Sequence, residues 1–142
     1  MAVVGPRDAS SEQEAVAEEV GRLLARRGAV VVCGGLGGVM EAACRGARGE
    51  GGTTVGILPG PDRGAANPHV SVAVPTGLGE ARNALVVRAA DALIAVGGAY
   101  GTLSEIALAL KAGKPVIGLG TWEIDGVERA EGPDAAVDTA LT

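Results

Sequence analysis

Short apolar runs rich in Val and Ile alternate along this chain with longer stretches patterned at helical spacing. Val3-Val4 reads as a first strand. Positions 11–27 read as a helix that opens on a capping box, Ser11 with Glu14, and stops at Gly28. Ala29–Cys33 is a second strand and 38–48 a second helix, followed by strands at Thr54–Leu58 and Val70–Val74. A third helix covers Gly79–Ala90, then a strand Ala92–Val96, a fourth helix Leu103–Ala112 ending at Gly113, and a last strand Pro115–Leu119. Beyond about Asp125 the tail is acidic and weakly patterned. The strands are continuous apolar runs, which suits a sheet covered on both faces. Strict β/α alternation makes right-handed crossovers and a parallel sheet the natural solution. The pattern therefore predicts an α/β fold: a Rossmann-like, doubly wound parallel sheet in a single three-layer domain spanning 1–142.

Two helical segments, Leu103–Leu110 and Ala84–Ala90, are apolar around most of their circumference. Such a helix needs cover beyond the sheet. Either a second copy supplies it, giving a homodimer or higher homo-oligomer, or small Ala side chains are tolerated at the surface.

Composition narrows the chemistry. Apolar residues are 47% and charged residues 20% of the 142, so a packed core is available, but aromatics are only 1%. The core must be built from Val, Leu, Ile and Ala. A net charge of −5 argues against nucleic acid and against an anionic membrane as partner, because counterion release needs a basic face. Cys33 and Cys44 form no metal-type spacing, and with His69 the only histidine a zinc site lacks ligands. No apolar run approaches the ~20 residues of a membrane span, and the N-terminus has no basic leader. A reducing, cytoplasmic location is expected.

The 24 glycines exceed the usual share of about 7% more than twofold. They concentrate after the strands: Gly5, Gly34-Gly35-Leu36-Gly37-Gly38, Gly60, Gly77 and Gly79, then Gly97-Gly98 with Gly101. That edge of an open α/β sheet is where ligands bind, and glycine there lets backbone amides approach an anion. Turn geometry alone accounts for any one loop; the whole set favours a phosphate-bearing ligand. The dinucleotide series Gly-x-Gly-x-x-Gly fails at Met40, no Walker loop occurs, and both lysines, Lys111 and Lys114, sit far from the glycine loops. No NAD, FAD, pyridoxal phosphate or other cofactor is expected.

Arg82, Asn83, Thr102 and Glu105 remain, with Arg7 on the first loop. Thr102-x-x-Glu105 directly after a glycine turn reads as a capping box. Spacing favours that reading; the functional alternative is a phosphate seat on the 98–102 amides, with Glu105 reaching a neighbouring sugar to stabilise an oxocarbenium-like transition state. Arg82 is either a bidentate phosphate clamp or a surface partner of Glu80. Tyr100 either flanks a ligand or closes the turn.

The block Val32-Cys33-Gly34-Gly35-Leu36-Gly37-Gly38-Val39-Met40-Glu41 resembles the Gly-Gly-x-x-Gly-x-Met block of the LOG proteins, long mislabelled lysine decarboxylases, many of which are cytokinin-activating phosphoribohydrolases. Gly98-Ala99-Tyr100-Gly101-Thr102-Leu103-Ser104-Glu105 is similar to that family's Pro-Gly-Gly-x-Gly-Thr-x-x-Glu signature, and Arg82 falls where the family places its catalytic arginine. The resemblance runs from Val3 to about Trp122. It is closer to the short-chain branch that includes the molybdenum cofactor carrier proteins, through Arg82–Val87 and Val96–Glu105. Gly97 stands where the phosphoribohydrolases have Pro, Ala99 where they have Gly, Ser104 where they have Glu, and Asn83 where they have Lys. The resemblance implies Arg82 and Glu105 as a catalytic pair, with Gly5, Arg7, Gly34, Gly35, Gly37, Gly38, Met40, Asn83, Gly98, Ala99, Tyr100, Gly101 and Thr102 around a small phosphorylated ligand. Two functions follow: hydrolysis of a nucleoside 5′-monophosphate to base and ribose 5-phosphate, which retention of Arg82 and Glu105 favours, or carriage of a phosphorylated pterin such as the molybdenum cofactor without turnover.

Overall fold

The computed structural model describes residues 1–142. Seven strands, β1 (Ala2–Val4), β2 (Val31–Cys33), β3 (Thr54–Leu58), β4 (Val72–Pro75), β5 (Leu93–Val96), β6 (Val116–Leu119) and β7 (Val127–Arg129), form one sheet in the order β4-β3-β2-β1-β5-β6-β7. Every pairing is parallel. Five helices cover it: α1 (Ser11–Arg26), α2 (Val39–Gly49), α3 (Arg82–Ala89), α4 (Tyr100–Lys111) and α5 (Pro133–Ala140). This is the doubly wound Rossmann-like arrangement that the alternation predicts.

Both faces of each central strand are apolar, so the sheet builds two cores. Val3, Val31, Ile94, Val96 and Ile117 meet α1, α2 and α5 on one face. Ala2, Val4, Leu93, Ala95 and Val116 meet α3 and α4 on the other. The second face has only two helices, and β4 is left without one. Val72 and Val74 pair in register with Val55 and Ile57 yet stay 48% and 41% exposed. Leu78 and Leu85 are exposed as well.

The chain steps outward from β1 to β4, then returns to the other side of β1 for β5 to β7. The topological switch therefore falls between β1 and β5, and the loops that follow these two strands flank the crevice where such sheets take ligands.

Three local expectations are corrected. The capping box of α1 is Ser10 with Gln13, one residue before Ser11 with Glu14: Gln13 N–H donates to Ser10 Oγ at 3.1 Å and Ser10 N–H to Gln13 Oε1 at 3.0 Å. Both registers satisfy the pattern, and the one used turns Gln13 towards Gly97. Thr102 and Glu105 form no capping box, because α4 begins earlier, at Tyr100, with Ala99 as an extended N-cap that offers no side-chain bond. The tail after Asp125 is not without structure: β7 adds an edge strand, and Ala136 and Val137 of α5 are buried against the first core. Lys114, one of the two lysines remote from the glycine loops, donates to the carbonyls of Val87 (2.8 Å), Arg88 (3.1 Å) and Ala90 (2.6 Å), closing the C-terminus of α3. No helix is long and apolar enough to cross a membrane.

Candidate functional site

Four loops converge at the carboxyl edge of the sheet. The loop after β1 lies against the glycine loop after β2: Val39 N–H donates to Pro6 O at 3.1 Å, and a Cβ on Gly38 would strike the Pro6 and Arg7 carbonyls. Gly38 also holds φ 66°, ψ −129° as the N-cap of α2, a conformation that L side chains avoid. Gly5 sits between Val39 and the Val96 carbonyl, so the β1 and β5 loops touch as well. Arg7, on this first loop, is exposed.

The two helices that start here differ as anion sites. Glu41 stands in the first turn of α2, and the Pro6 carbonyl already takes the Val39 amide. The first turn of α4 carries no acidic residue and no side-chain cap. Its leading amides, on Tyr100, Gly101 and Thr102, have no intrahelical acceptor and lie at the positive end of the helix dipole. Thr102 is buried, and its Oγ1 has no hydrogen-bond partner.

Arg82 bridges the glycine loops. Its Nε donates to Ile57 O at 2.9 Å, its Nη2 points at Gly34 O at 3.4 Å, and Nη1 donates to Asn83 Oδ1. Asn83 Nδ2 in turn donates to Ser104 Oγ at 3.0 Å, and Ser104 Oγ to Gly101 O at 2.8 Å. A continuous polar chain thus runs from the β2 and β3 ends to the first turn of α4. Arg82 does not pair with Glu80; three of its five N–H groups are engaged, on two backbone carbonyls and Asn83, which fixes it more firmly than a surface ion pair would and leaves one N–H on each Nη. Gly34 leaves room for this: a Cβ there would lie 2.6 Å from Arg82 Nη2 and 2.9 Å from Met40 Sδ. Gly34→Ala is therefore expected to push the guanidinium off its carbonyls. Affinity for a phosphate ligand should fall severalfold while the melting temperature drops only a few degrees, measured by calorimetric titration beside a thermal scan.

Glu105 is buried, at 7% exposure, on the sixth residue of α4. Burial lifts its pKa to about 7, with the Arg82 charge pulling it part of the way back. The same burial lowers that of Arg82. A carboxyl poised near neutrality beside a fixed cation can exchange a proton or donate a hydrogen bond to a bound anion.

Of the other expected site residues, Gly34, Gly35, Gly37 and Gly38 form the loop after β2, and Gly98, Ala99 and Gly101 the turn into α4. Met40 packs beneath them with Cys33 and Cys44. Asn83 is buried with both ends of its amide engaged, one on Arg82 and the other on Ser104. Tyr100 is 89% exposed. Two contributors escape sequence reasoning. Asn67 pins the glycine loop, its backbone N–H donating to Gly35 O at 2.9 Å and its Nδ2 to Leu36 O at 2.9 Å. Trp122, after β6, lies against Gly98; its being the sole tryptophan, just beyond a strand's carboxyl end, is the signal that points to it.

Fold and loops together define a Rossmann-like protein with a glycine-walled crevice at its switch point. The chain belongs to the SLOG cluster4 family, whose model matches residues 1–140. It is 43% identical over 141 residues to an uncharacterized protein of Archaeoglobus fulgidus, covering 99% of this chain and 93% of that one. Among solved structures it is similar to the molybdenum cofactor binding protein of Rippkaea orientalis, with TM-score 0.94, 37% identity, and 99% and 93% of the two chains covered. It is also similar to the molybdenum cofactor carrier protein of Chlamydomonas reinhardtii, with TM-score 0.90, 37% identity, and 99% and 94% covered. The likeness read from the two glycine blocks thus holds at the level of family and fold, and on the side of the carrier branch.

Proposed function

We propose that this protein binds a small phosphorylated, pterin- or nucleotide-type ligand and carries it unchanged, with the molybdenum cofactor as its cargo. The observation that carries this reading is Arg82, held between Ile57 and Gly34 carbonyls and linked by Asn83 and Ser104 to the uncapped start of α4. A phosphate seated on the Gly98–Thr102 turn would meet free amides, a helix dipole and a prepositioned guanidinium. Arg7 and the Gly34–Gly38 loop complete the cradle, and Gly5 keeps the first loop close. In its protonated form the Glu105 carboxyl adds a donor without repelling the anion. Likeness to two proteins of molybdenum cofactor binding and carriage, over nearly the whole chain, supports cargo over substrate.

A second reading rests on Glu105: a carboxyl near pKa 7 beside an arginine is also suited to hydrolysing an N-glycosidic bond. Incubation with AMP, GMP, IMP, CMP and UMP, followed by chromatography, separates the two. Carriage predicts that all five are recovered intact. Free base whose release disappears in Glu105→Gln would establish the hydrolase.

The exposed apolar side chains of Val72, Val74, Leu78 and Leu85 support a homo-oligomer in which a second copy covers the α3 side of the sheet. The acidic net charge continues to speak against nucleic acid as partner.

A further inference from the structure

A cavity of about 910 Å³ lies away from Arg82 and Glu105. It opens on the other side of the Gly97-Gly98 turn, between the first turn of α1 and the segment that leaves β6 and returns as β7. Trp122 walls it at 39% exposure, with its six-membered ring against Gly98: a Cβ on that glycine would sit 2.7 Å from Cζ3. Thr121, beside it, has a buried Oγ1 with no hydrogen-bond partner. Four carboxylates, Glu12, Glu123, Asp125 and Glu131, border the cavity against one cation, Arg129, which stands 3.9 Å from Glu123.

We propose that this cavity is the second half of the ligand site and takes a planar heteroaromatic ring with an N–H-donating edge, of the 2-amino-4-oxo-pyrimidine type, while the phosphate of the same molecule sits at the start of α4. This rests on the binding function proposed above and names the part of the ligand that the phosphate cradle cannot read. The charge pattern assigns the two ends. Carboxylates around the cavity repel a phosphate but accept from ring and exocyclic N–H groups, a charge-assisted pairing stronger than a neutral one. The indole offers the cavity's only aromatic surface for stacking. Trp122 packs on Gly98, two residues ahead of the first residue of α4, so one small molecule can reach both sides of the turn. The volume falls within the range of pockets that enclose a small organic ligand.

Trp122 is the only tryptophan, so its fluorescence reports on this cavity alone. Titration calorimetry and fluorescence with three probes separate the parts: ribose 5-phosphate carries the phosphate, IMP adds a purine without the 2-amino group, and GMP adds that group. The expected order is GMP tightest, IMP about tenfold weaker, and ribose 5-phosphate weaker again, with quenching by the two nucleotides only. Trp122→Ala should abolish the difference in affinity between GMP and ribose 5-phosphate. Glu12→Gln and Glu131→Gln, exposed changes that the fold tolerates, should each shrink the GMP–IMP difference, so the proposal stands or falls even if Trp122→Ala does not fold. Equal affinities for the three probes with unquenched Trp122 would overturn the cavity's role while leaving phosphate binding intact. Failure of all three to bind would overturn the binding function, and this inference with it.

Discussion

Glu105→Gln is expected to melt higher than the unaltered protein at pH 8 and at nearly the same temperature at pH 4. The native carboxyl has a pKa of about 7 against an ordinary 4.5, so the folded state holds its proton more tightly than the unfolded chain does. The stability tied to this group is complete below pH 4.5, is lost as pH rises from there to about 7, and is absent above that. A shift of this size corresponds to roughly 3 kcal/mol, or on the order of 10 °C for a chain of this length. Gln keeps the shape and never ionises, so it escapes the loss. Thermal scans of both proteins from pH 4 to pH 8 check it. A capping box would give the opposite sign, with Glu105→Gln melting lower because the cap is weakened. The buried carboxyl thus costs stability at neutral pH, as functional groups often do.

Arg82→Ala is expected to have the largest effect on binding. Removing a charge-assisted fork costs about tenfold to a hundredfold in affinity for ribose 5-phosphate. It also strips the donors from Ile57 O and Asn83 Oδ1, so some loss of melting temperature accompanies it. Glu105 loses the one charge that lowers its pKa, and its titration should move further above 7. Arg82→Lys keeps the charge but not the geometry and should fall between the two. Unchanged affinity in Arg82→Ala would remove this residue from the site.

The fold is legible in the sequence wherever a strand is a continuous apolar run. Thr54–Leu58 is found with its observed ends, and the remaining predicted elements lie within a few residues of theirs. Helix starts are less legible because capping patterns overlap: Ser10-x-x-Gln13 and Ser11-x-x-Glu14 differ by one step, and only packing of Gln13 against Gly97 selects between them. The α4 start is displaced for a related reason. Gly97, at φ 66°, turns the chain so that Ala99 is extended and the helix gains three residues before Leu103. β7 has three residues, two of them exposed, and α5 is eight residues long, so neither has the length to show a period.

Arg82 and Glu105 are legible as chemistry because they are a cation and an acid placed beside glycine turns. Their supports are not. Asn67 and Ser104 act through contacts 31 and 21 residues away, to Leu36 and Asn83, which no local pattern encodes. The switch point itself depends on β5 returning beside β1, a long-range choice of strand order.

The central claim is that the crevice at this switch point holds a phosphorylated pterin without consuming it. Gel filtration of the purified protein mixed with released molybdenum cofactor, with pterin and molybdenum measured across the protein peak, tests it most directly. The account predicts that both co-elute with the protein in stoichiometric amount, are recovered unaltered, and are largely lost from Arg82→Ala. Pterin and molybdenum eluting free of the protein, or returning as cleavage products, would contradict it.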